Sequence, residues 1–453
     1  ALAALVCGLV LLRADRDVSA LGVLRADALT ALMLVIVGVV ALTALGVSVR
    51  SRHRWYPVLV CLFLGAMCLA VLADNLGVTW VAIEATTITT ALLVGQHHGP
   101  LPLEAAWKYV VLGSVGVAIA FLGVVILYAT ANAAGVPTLS WVQLTQQASS
   151  LGEAGARFAL VLATLGFATK AGLAPMHAWL PDAHSQAPAP VSGLMSGVLL
   201  SVALYVILRL RTLSDAVLGQ QTMRTMLLAL GLASLTVAAV LLVTQRDYKR
   251  LLAYSSIEHM GIMAVAASIG GSLATAALLA HMLGHGIAKA AMFVQAGRIL
   301  AATGTSQIVS VSALLARDAS LGRPWLSGMA ALAGFPPFPL FFTEVAILLA
   351  GWQAGLGAAM TAVVVLLLVA FTGLTRHCLA MTLGAPAALP TPGPADPDRL
   401  PLTGASRAAA GLGTRGHVTR VTIALAAAAS LVLLTPAAAP VLTAATSALD
   451  NHP

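Results

Sequence analysis

The sequence carries very little charge for its length. Only 9% of its 453 residues are Asp, Glu, Lys or Arg, whereas a soluble domain of ordinary composition has about 25%. Hydrophobic residues make up 59%, and long apolar runs recur along almost the whole chain. This pattern excludes a soluble globular protein and predicts an all-α polytopic membrane protein. The short alternating segments of a transmembrane barrel are not seen.

Cysteine is also scarce. The four cysteines (Cys7, Cys61, Cys68 and Cys378) are scattered in or beside apolar runs, without a CxxC pair or a Cys/His cluster. We therefore expect packed thiols rather than an iron–sulfur or zinc centre, and no cofactor in this chain. The loops offer no nucleophile or metal constellation, so we do not expect a soluble-substrate enzyme.

Lysine is the rarest charged residue type, with four copies against twenty arginines. Two of the four, Lys170 and Lys289, lie deep in apolar runs, where a charged lysine costs about 2.5–3.5 kcal/mol. An arginine stays protonated, whereas a buried lysine can release its proton. The choice indicates proton chemistry within the membrane. The alternative is a static ion pair or a side chain that reaches the interface.

The apolar runs predict thirteen spans and allow their orientation to be tested. The predicted spans are 1–12 (partial), 28–49, 57–73, 76–95, 108–131, 157–176, 188–211, 224–245, 251–269, 273–300, 324–350, 357–383 and 418–441. Alternating the loops places 15 basic residues on one side and 7 on the other, so the richer side is predicted to be cytoplasmic. The C-terminus is then outside. This asymmetry explains the formal charge of +8 better than nucleic-acid binding does.

Three regions follow from these runs. Residues 1–383 are predicted to form a transmembrane domain whose first helix is partial or missing. Residues 384–417 are rich in Pro, Gly and Ala and predict a flexible cytoplasmic linker. Residues 418–453 are predicted to form a last transmembrane helix and a short tail.

Prolines predict two broken helices. The stretch "LAPMHAWLPD" contains Pro175 and Pro181, and "AGFPPFP" contains a second proline cluster. Broken helices at membrane depth are tolerated where they line a cavity or are covered by protein. Each break is accompanied by one ionisable residue, Lys170 in the first and Glu344 in the second.

Titratable residues also follow a helical period in "HMLGHGIAKAAMF". His281, His285 and Lys289 are spaced i, i+4 and i+8, so they share one helix face at steps of roughly 6 Å. One water can bridge such a step, which favours a proton relay over a set of static hydrogen bonds. Nearby, Glu258 and His259 either extend this polar row or cap a broken turn.

An acidic residue in mid-span requires a partner. Glu84 lies within "LGVTWVAIEATTITTALLVG", and Lys170 is the partner that we expect for it. Glu84, Lys170, His281, His285, Lys289 and Glu344 are therefore the predicted proton pathway. Five further residues are accessory candidates: His177, Asp182, Ser201, Glu258 and His259.

The motifs resemble a known family. "FATKAGLAPMHAWLPDAHSQAPAPVSGLMSG", "RDYKRLLAYSSIEHMGIM" and "HMLGHGIAKAAMF" are similar to the antiporter-like membrane subunits of respiratory complex I, Mrp cation/proton antiporters and complex-I-related hydrogenases. The similarity covers roughly residues 20–380. "AYSSIEHMGI" looks most like component F of hydrogenase-4 and its formate hydrogenlyase relatives.

The resemblance implies fourteen helices with two inverted five-helix repeats, so thirteen spans fit the loss of the first. It implies that Glu84 pairs with Lys170 and that His285 and Lys289 lie on a central polar axis. Glu344 falls on the acidic or lysine position of the second broken helix. At the position of a second lysine in many complex I members, this chain has Ser201.

Function follows as an expectation. We expect a proton-translocating membrane subunit, not an enzyme by itself, of a complex-I-like or hydrogenase-4-like oxidoreductase in the bacterial inner membrane. Its expected partners are the other membrane and peripheral subunits, the lipid bilayer and protons. One alternative is an Mrp-type Na⁺/H⁺ antiporter subunit that uses the same residues. Another, motivated by Ser201, is a membrane anchor with a vestigial channel.

Overall fold

The computed structural model describes residues 1–14, 17–46, 54–96, 99–385 and 439–450. This part of the chain is built almost entirely from α-helices. Their bounds are α1 Leu2–Ala14, α2 Ala28–Gly46, α3 Tyr56–Leu72, α4 Leu76–Val94, α5 Pro100–Ala133, α6 Trp141–Gln146, α7 Glu153–Lys170, α8 Trp179–Gln186, α9 Ala189–Leu194, α10 Leu200–Leu218, α11 Gln220–Thr244, α12 Tyr248–Ile269, α13 Gly271–Thr303, α14 Leu314–Arg317, α15 Ala319–Leu332, α16 Pro339–Gln353, α17 Gly357–Leu383 and α18 Ala439–Asp450.

Short elements join some of these helices. The strands β1 (Val18–Ala20) and β2 (Leu24–Ala26) form an antiparallel hairpin between α1 and α2. A π-helical segment, Met195–Leu199, joins α9 to α10 without interruption. Two 3₁₀ turns cover Ala148–Ser150 and Ile308–Ser310.

The helix lengths confirm an all-α multi-pass membrane protein. Eight helical segments of the described residues are long and apolar enough to span a bilayer, and α1, α3 and α16 are shorter apolar helices. Each predicted span as far as residue 383 coincides with a helix or with the two halves of a broken one. The predicted linker, apart from its first two residues, and nearly all of the span 418–441 lie outside the described residues. The repeat arrangement and the outside C-terminus stay predictions.

Burial separates a central layer from a lipid-facing one. The most apolar stretch of the α9–α10 segment is 100% buried, and those of α12 and α13 are each 89% buried. The corresponding values are 39% for α5 and 28% for α17. Close contact inside this centre depends on glycine, because a Cβ atom on Gly197 would lie 2.6 Å from the carbonyl oxygen of Gly286. The central helices therefore pack backbone against backbone.

The first predicted break lies between α7 and α8, over residues 171–178. Neighbouring groups satisfy its backbone, since the N–H of Ala174 donates to Ser234 on α11 at 2.8 Å and the Trp179 indole donates to the Thr169 carbonyl at 2.8 Å. The prediction that Pro181 also interrupts the helix is wrong. Pro181 lies in the first turn of α8, where its missing N–H leaves no hydrogen bond unmade.

The second predicted break separates α15 from α16, over residues 333–338. Gly334 adopts φ +67°, and the N–H of Phe335 donates to the Ala330 carbonyl at 3.0 Å, which closes the end of α15. Pro339 then begins α16, where proline is favoured. Both breaks thus occur at membrane depth with their backbone groups bonded inside the protein.

Candidate functional site

Glu84 lies on α4 and is bonded to hydroxyl groups. Its Oε1 accepts a hydrogen bond from Ser114 on α5 at 3.1 Å, and its Oε2 accepts one from Thr87 at 3.1 Å. The side chain is half-buried. Two hydroxyl donors hold a carboxylate without neutralising it, so Glu84 remains free to attract a cation.

Lys170 is the last residue of α7 and is fully buried. Its Nζ lies 3.4 Å from the hydroxyl oxygen of Tyr109 on α5 and 4.6 Å from the centre of the same ring. Tyr109 is itself fully buried and makes an edge contact with Trp179, with ring centres 5.0 Å apart. An aromatic wall therefore holds the lysine at the point where the helix breaks.

Glu84 on α4 and Lys170 on α7 both lie against the same part of α5, but the two side chains do not form an ion pair. Within the described ranges, no carboxylate oxygen lies within 4.0 Å of the Lys170 ammonium. Gly113 lies beside Lys170 and beside Thr87, the α4 neighbour of Glu84, because a Cβ atom there would lie 2.7 Å from Nζ of Lys170 and 3.5 Å from the Thr87 methyl group. The predicted pairing would require the two side chains to move closer together at this point.

The second group of titratable residues lies between α12, α13 and α16. His281 and His285 are fully buried on α13, as the sequence predicts, but His259 on α12 lies against both of them. The His259 ring is 5.2 Å from the His281 ring and 5.1 Å from the His285 ring, centre to centre. His259 therefore extends the polar row. The alternative of a capped turn is wrong, because α12 is continuous through Glu258 and His259.

Short contacts join the polar atoms of this group. Thr343 donates to the backbone carbonyls of Pro339 and Leu340 at 3.2 and 2.9 Å, and its hydroxyl oxygen is 2.8 Å from Nδ1 of His281. Nε2 of His281 is 3.1 Å from Nδ1 of His259, and the tautomers of the two rings set which nitrogen donates. The Leu332 backbone faces the His259 ring from its other side.

Glu344 completes the second group. A carboxylate oxygen of Glu344, one ring nitrogen of His259 and one of His281 all lie within 4.8 Å of one another. Glu344 keeps part of its surface accessible, whereas the two histidines are fully buried. The glycine of the second break, Gly334, packs directly on this carboxylate. The second break therefore positions a carboxylate at the edge of the histidine group.

Lys289 and Glu258 are buried beside the same group. Nζ of Lys289 donates to the Leu252 carbonyl at 2.9 Å and to the Ser255 hydroxyl. Glu258 is 4% exposed and interacts electrostatically with both Lys289 and Glu344. The lysine is thus held by acceptors on α12, two helical turns from His281.

The remaining accessory candidates divide between centre and surface. Ser201 is fully buried on α10, which packs against α7 while the π-helical segment before it packs against α13. Its hydroxyl is 3.4 Å from the Gly197 carbonyl. His177 is half-buried within the first break. Asp182 is on the surface side of α8 and forms ion pairs with Lys108 and Arg250.

One buried ion pair, Arg209 with Asp27, was not predicted from the sequence, in which Arg209 lies near the end of the span 188–211. Arg209 is 3% exposed, and its Nη2 lies 2.6 Å from Oδ1 of Asp27. Its guanidinium carbon is 4.2 Å from the ring centre of Trp141 and 4.9 Å from that of Tyr205. The sequence signal was the aspartate directly before a long apolar run, where Asp27 also accepts from the Thr30 N–H at 2.8 Å.

A buried lysine at a broken helix, a histidine group in the bundle centre and a carboxylate at a second break are typical of multi-pass proteins of the ion-transport class. The chain belongs to the NADH:quinone oxidoreductase/Mrp antiporter transmembrane family, which matches residues 73–370. This match contains all six residues of the predicted pathway. The resemblance inferred from the motifs is confirmed.

Known relatives come from several kinds of complex. The chain is 40% identical over 304 residues to the hydrogenase-4 component F homolog of Methylacidiphilum infernorum, and the match covers 66% of this chain and 63% of that protein. It is 30% identical over 344 residues to a Na⁺/H⁺ antiporter subunit of Alkalihalophilus pseudofirmus, covering 73% and 67%. The chain thus spans less than two thirds of the hydrogenase-4 relative's length.

A solved structure shows the same fold. A chain of the membrane-bound sulfane sulfur reductase, an archaeal respiratory membrane complex, superposes with a TM-score of 0.83 and 22% identity. The match covers 99% of this chain and 90% of that chain. Membrane subunits of multi-subunit complexes therefore share this architecture along almost its whole length.

Proposed function

We infer that this chain is the proton-translocating, antiporter-like subunit of a complex-I-like or hydrogenase-4-like oxidoreductase in the bacterial inner membrane. The observation that carries the proposal is Lys170, fully buried at the end of a broken helix with Glu84 nearby on α4. A buried lysine without a carboxylate partner is costly to keep charged, so it suits a role in which the proton comes and goes. The name of the hydrogenase-4 relative supports the choice of complex.

The proposed mechanism begins at the first break. A proton is stable on Lys170 while Glu84 is paired with it, and pairing requires the two side chains to move closer together beside Gly113. When the two separate, as in this structure, desolvation favours the uncharged lysine and the proton leaves. Water near Ser201 would carry it through the α9–α10 segment towards the histidine group. This step is required because serine cannot hold the proton itself.

The second half of the pathway would use the contacts described above. In the tautomer in which Nδ1 of His259 donates, a proton that reaches Nε2 of His259 releases the Nδ1 proton of the same ring to His281, 3.1 Å away. Glu344, at the edge of the histidine group, would then receive the proton and lead it to an exit. Lys289 on α13 is held by acceptors on α12, and its charge would set the electrostatic potential of this segment.

The partners proposed are the membrane and peripheral subunits of the complex, which would hold its redox centres, because no cofactor is proposed for this chain. The chain would therefore not be an enzyme on its own. A second candidate, an Mrp-type Na⁺/H⁺ antiporter subunit, is favoured by the similarity to the Alkalihalophilus pseudofirmus antiporter protein. The anchor hypothesis rests on Ser201 alone.

The deciding experiment replaces Lys170 with Ala in the assembled complex. We expect proton uptake into proteoliposomes to be lost while electron transfer by the partner subunits can still be assayed. Lys108→Ala is the matched control, because Lys108 is an exposed lysine that pairs with Glu104 and Asp182 on the surface. Unchanged proton uptake in Lys170→Ala would contradict the proposal, and unchanged uptake after loss of both Lys170 and Glu84 would favour the anchor.

Sodium distinguishes the two transport candidates. A chain that exchanges Na⁺ for protons should move ²²Na⁺ in vesicles that contain no redox donor. A chain driven by a redox partner should move protons only when electrons flow. Lys170→Ala should abolish both the Na⁺ flux and the proton flux, so this variant does not distinguish the candidates. What distinguishes them is whether transport requires electron flow.

A further inference from the structure

The group formed by His259, His281 and Glu344 has the composition of a metal site. One ring nitrogen of each histidine and one carboxylate oxygen lie within 4.8 Å of one another. The three residues come from α12, α13 and α16, three separate helices that converge on one point. Both histidines are fully buried. Convergence of two imidazoles and a carboxylate is a ligand set that zinc uses in proteins.

The distance between the two rings fits a metal ion. Nδ1 of His259 and Nε2 of His281 are 3.1 Å apart. Two Zn–N bonds of about 2.0–2.1 Å at a tetrahedral angle place the two nitrogens about 3.3 Å apart. An ion could therefore replace the proton between the rings with a shift of a few tenths of an ångström. A carboxylate oxygen of Glu344 lies within 4.8 Å of a nitrogen of each ring and is the third ligand in reach.

Proton balance does not oppose this exchange. With the ion on Nδ1, His259 carries its one proton on Nε2, and the Leu332 backbone faces this ring. With the ion on Nε2, His281 carries its proton on Nδ1, and the Thr343 hydroxyl oxygen, 2.8 Å away, can accept it. A histidine that donates its second N–H to a fixed acceptor is the usual arrangement around bound zinc.

The surroundings leave room for a fourth ligand and a route of entry. The His285 ring is 5.1 Å from His259, and neither of its nitrogens has a hydrogen-bond partner among the residues described. Glu344 is half-buried beside the second break, whereas both histidines are fully buried, so the Glu344 side is the shorter way in for an ion. Imidazole ligands select transition-metal ions over Na⁺ or Mg²⁺, which prefer oxygen.

We propose that His259, His281 and Glu344 bind a divalent transition-metal ion of the zinc type. No zinc centre is expected from the sequence, which lacks a CxxC pair and a Cys/His cluster, but this candidate site uses histidines from two separate helices instead. Binding would occupy the nitrogens between which the proton moves. The ion would therefore inhibit proton transfer, a consequence that rests on the proposed function, whereas binding itself does not.

Binding is tested on the full chain, purified in detergent with an affinity tag free of histidine. Zn²⁺ is the probe for stoichiometry, measured by elemental analysis after gel filtration, and Co²⁺ is the probe for geometry, measured by its visible absorption. We expect about one Zn²⁺ per chain and the intense bands of a tetrahedral cobalt site. X-ray absorption of the zinc-loaded chain should show imidazole nitrogens.

Variants assign the ligands. His259→Gln, His281→Gln and Glu344→Gln should each weaken Zn²⁺ binding by at least about 10-fold, since loss of even a supporting residue costs about 10- to 100-fold. His377→Gln is the control, because His377 is buried on α17 and bonded to the Leu242 carbonyl at 3.1 Å. Glu344→Gln keeps the shape of the side chain and removes only its charge. It therefore tests the site even if the histidine variants misfold.

Two results would overturn the proposal. One is a wild-type chain that retains no more zinc than the Glu344→Gln variant does. The other is an absorption spectrum without imidazole ligands. Zinc binding together with proton transfer that zinc does not inhibit would leave the site established and contradict the proposed function instead. The two failures are therefore distinguishable.

Discussion

The hydroxyl oxygen of Tyr109 lies 3.4 Å from Nζ of Lys170, and the centre of its ring lies 4.6 Å from the same atom. Tyr109 thus offers the buried lysine a weak acceptor and a π-face at once. Neither interaction is as strong as an ion pair with Glu84 would be. The tyrosine therefore provides a resting place that Lys170 can leave.

Replacing Tyr109 with Phe tests this resting place. The variant keeps the ring and removes the hydroxyl, and a hydrogen bond of this kind contributes about 0.5–1.5 kcal/mol. We expect proton uptake to fall by up to roughly ten-fold. Tyr109→Leu, which removes the ring as well, should lower it further. Proton uptake into proteoliposomes is the measurement for both variants. Uptake at the wild-type rate in both would contradict the role of Tyr109 as a resting place for Lys170.

A second prediction concerns the space between Lys170 and Glu84. Gly113→Ala would place a methyl group 2.7 Å from Nζ of Lys170, closer than any carbon can come. The Lys170 ammonium must then shift, at little cost in stability because it is the far end of a flexible side chain, and it leaves the position beside Tyr109 and α4. We expect proton uptake to be largely lost while the protein still assembles.

Gly65→Ala is the control for this variant. Gly65 lies within a helix, like Gly113, but a Cβ atom there meets nothing within 4 Å. We expect this change to leave uptake unchanged and to stabilise the helix slightly, because alanine has the higher helix propensity. If Gly113→Ala transports as well as Gly65→Ala does, Lys170 and Glu84 do not need to meet at this point.

Part of this site could be predicted from the sequence, because its signals come from residues that are close together in the chain. Lys170 and Glu344 are charges in apolar runs beside prolines, so composition and helix-breaking chemistry alone indicate both residues. His281 and His285 are one helical turn apart, and a helical period places them on one face. The fold class follows from the same apolar runs.

The contacts between helices could not be predicted in this way. His259 meets His281 because α12 and α13 align at one particular depth, which no local spacing determines. Gly113 matters only because α5 carries it past the end of α7. Asp27 and Arg209 are 182 residues apart in the chain, and only the folded structure makes them partners.

His259 carries the third prediction. It lies between His281 and His285, so His259→Gln should break the chain of ring nitrogens and lower proton uptake by about 100-fold or more, the usual effect of losing a proton-transfer group. His184→Gln is the matched control. His184 is another fully buried histidine, but it stacks on Phe293 with ring centres 5.0 Å apart and takes no part in the chain. Uptake should fall only in the first variant, and equal uptake in both would remove His259 from the pathway.

The fourth prediction concerns stability. Asp27 and Arg209 are 8% and 3% exposed, and their charged groups are 2.6 Å apart. Removing one partner leaves the other charge buried and unpaired, so Asp27→Ala or Arg209→Ala should each cost about 3–5 kcal/mol. The double variant should cost much less than the sum, since the two residues act as a unit.

Thermal unfolding in detergent of the wild type, the two single variants and the double variant measures this coupling. Glu153 and Arg157 supply the comparison, because they form an ion pair one turn apart on α7 with both side chains exposed. Breaking that pair should cost no more than about 0.5 kcal/mol. A small effect at Asp27 and Arg209, similar to that at Glu153 and Arg157, would mean that water reaches the inner pair. The end of α10 would then be open to solvent, and the pair could not fix α10 against α2.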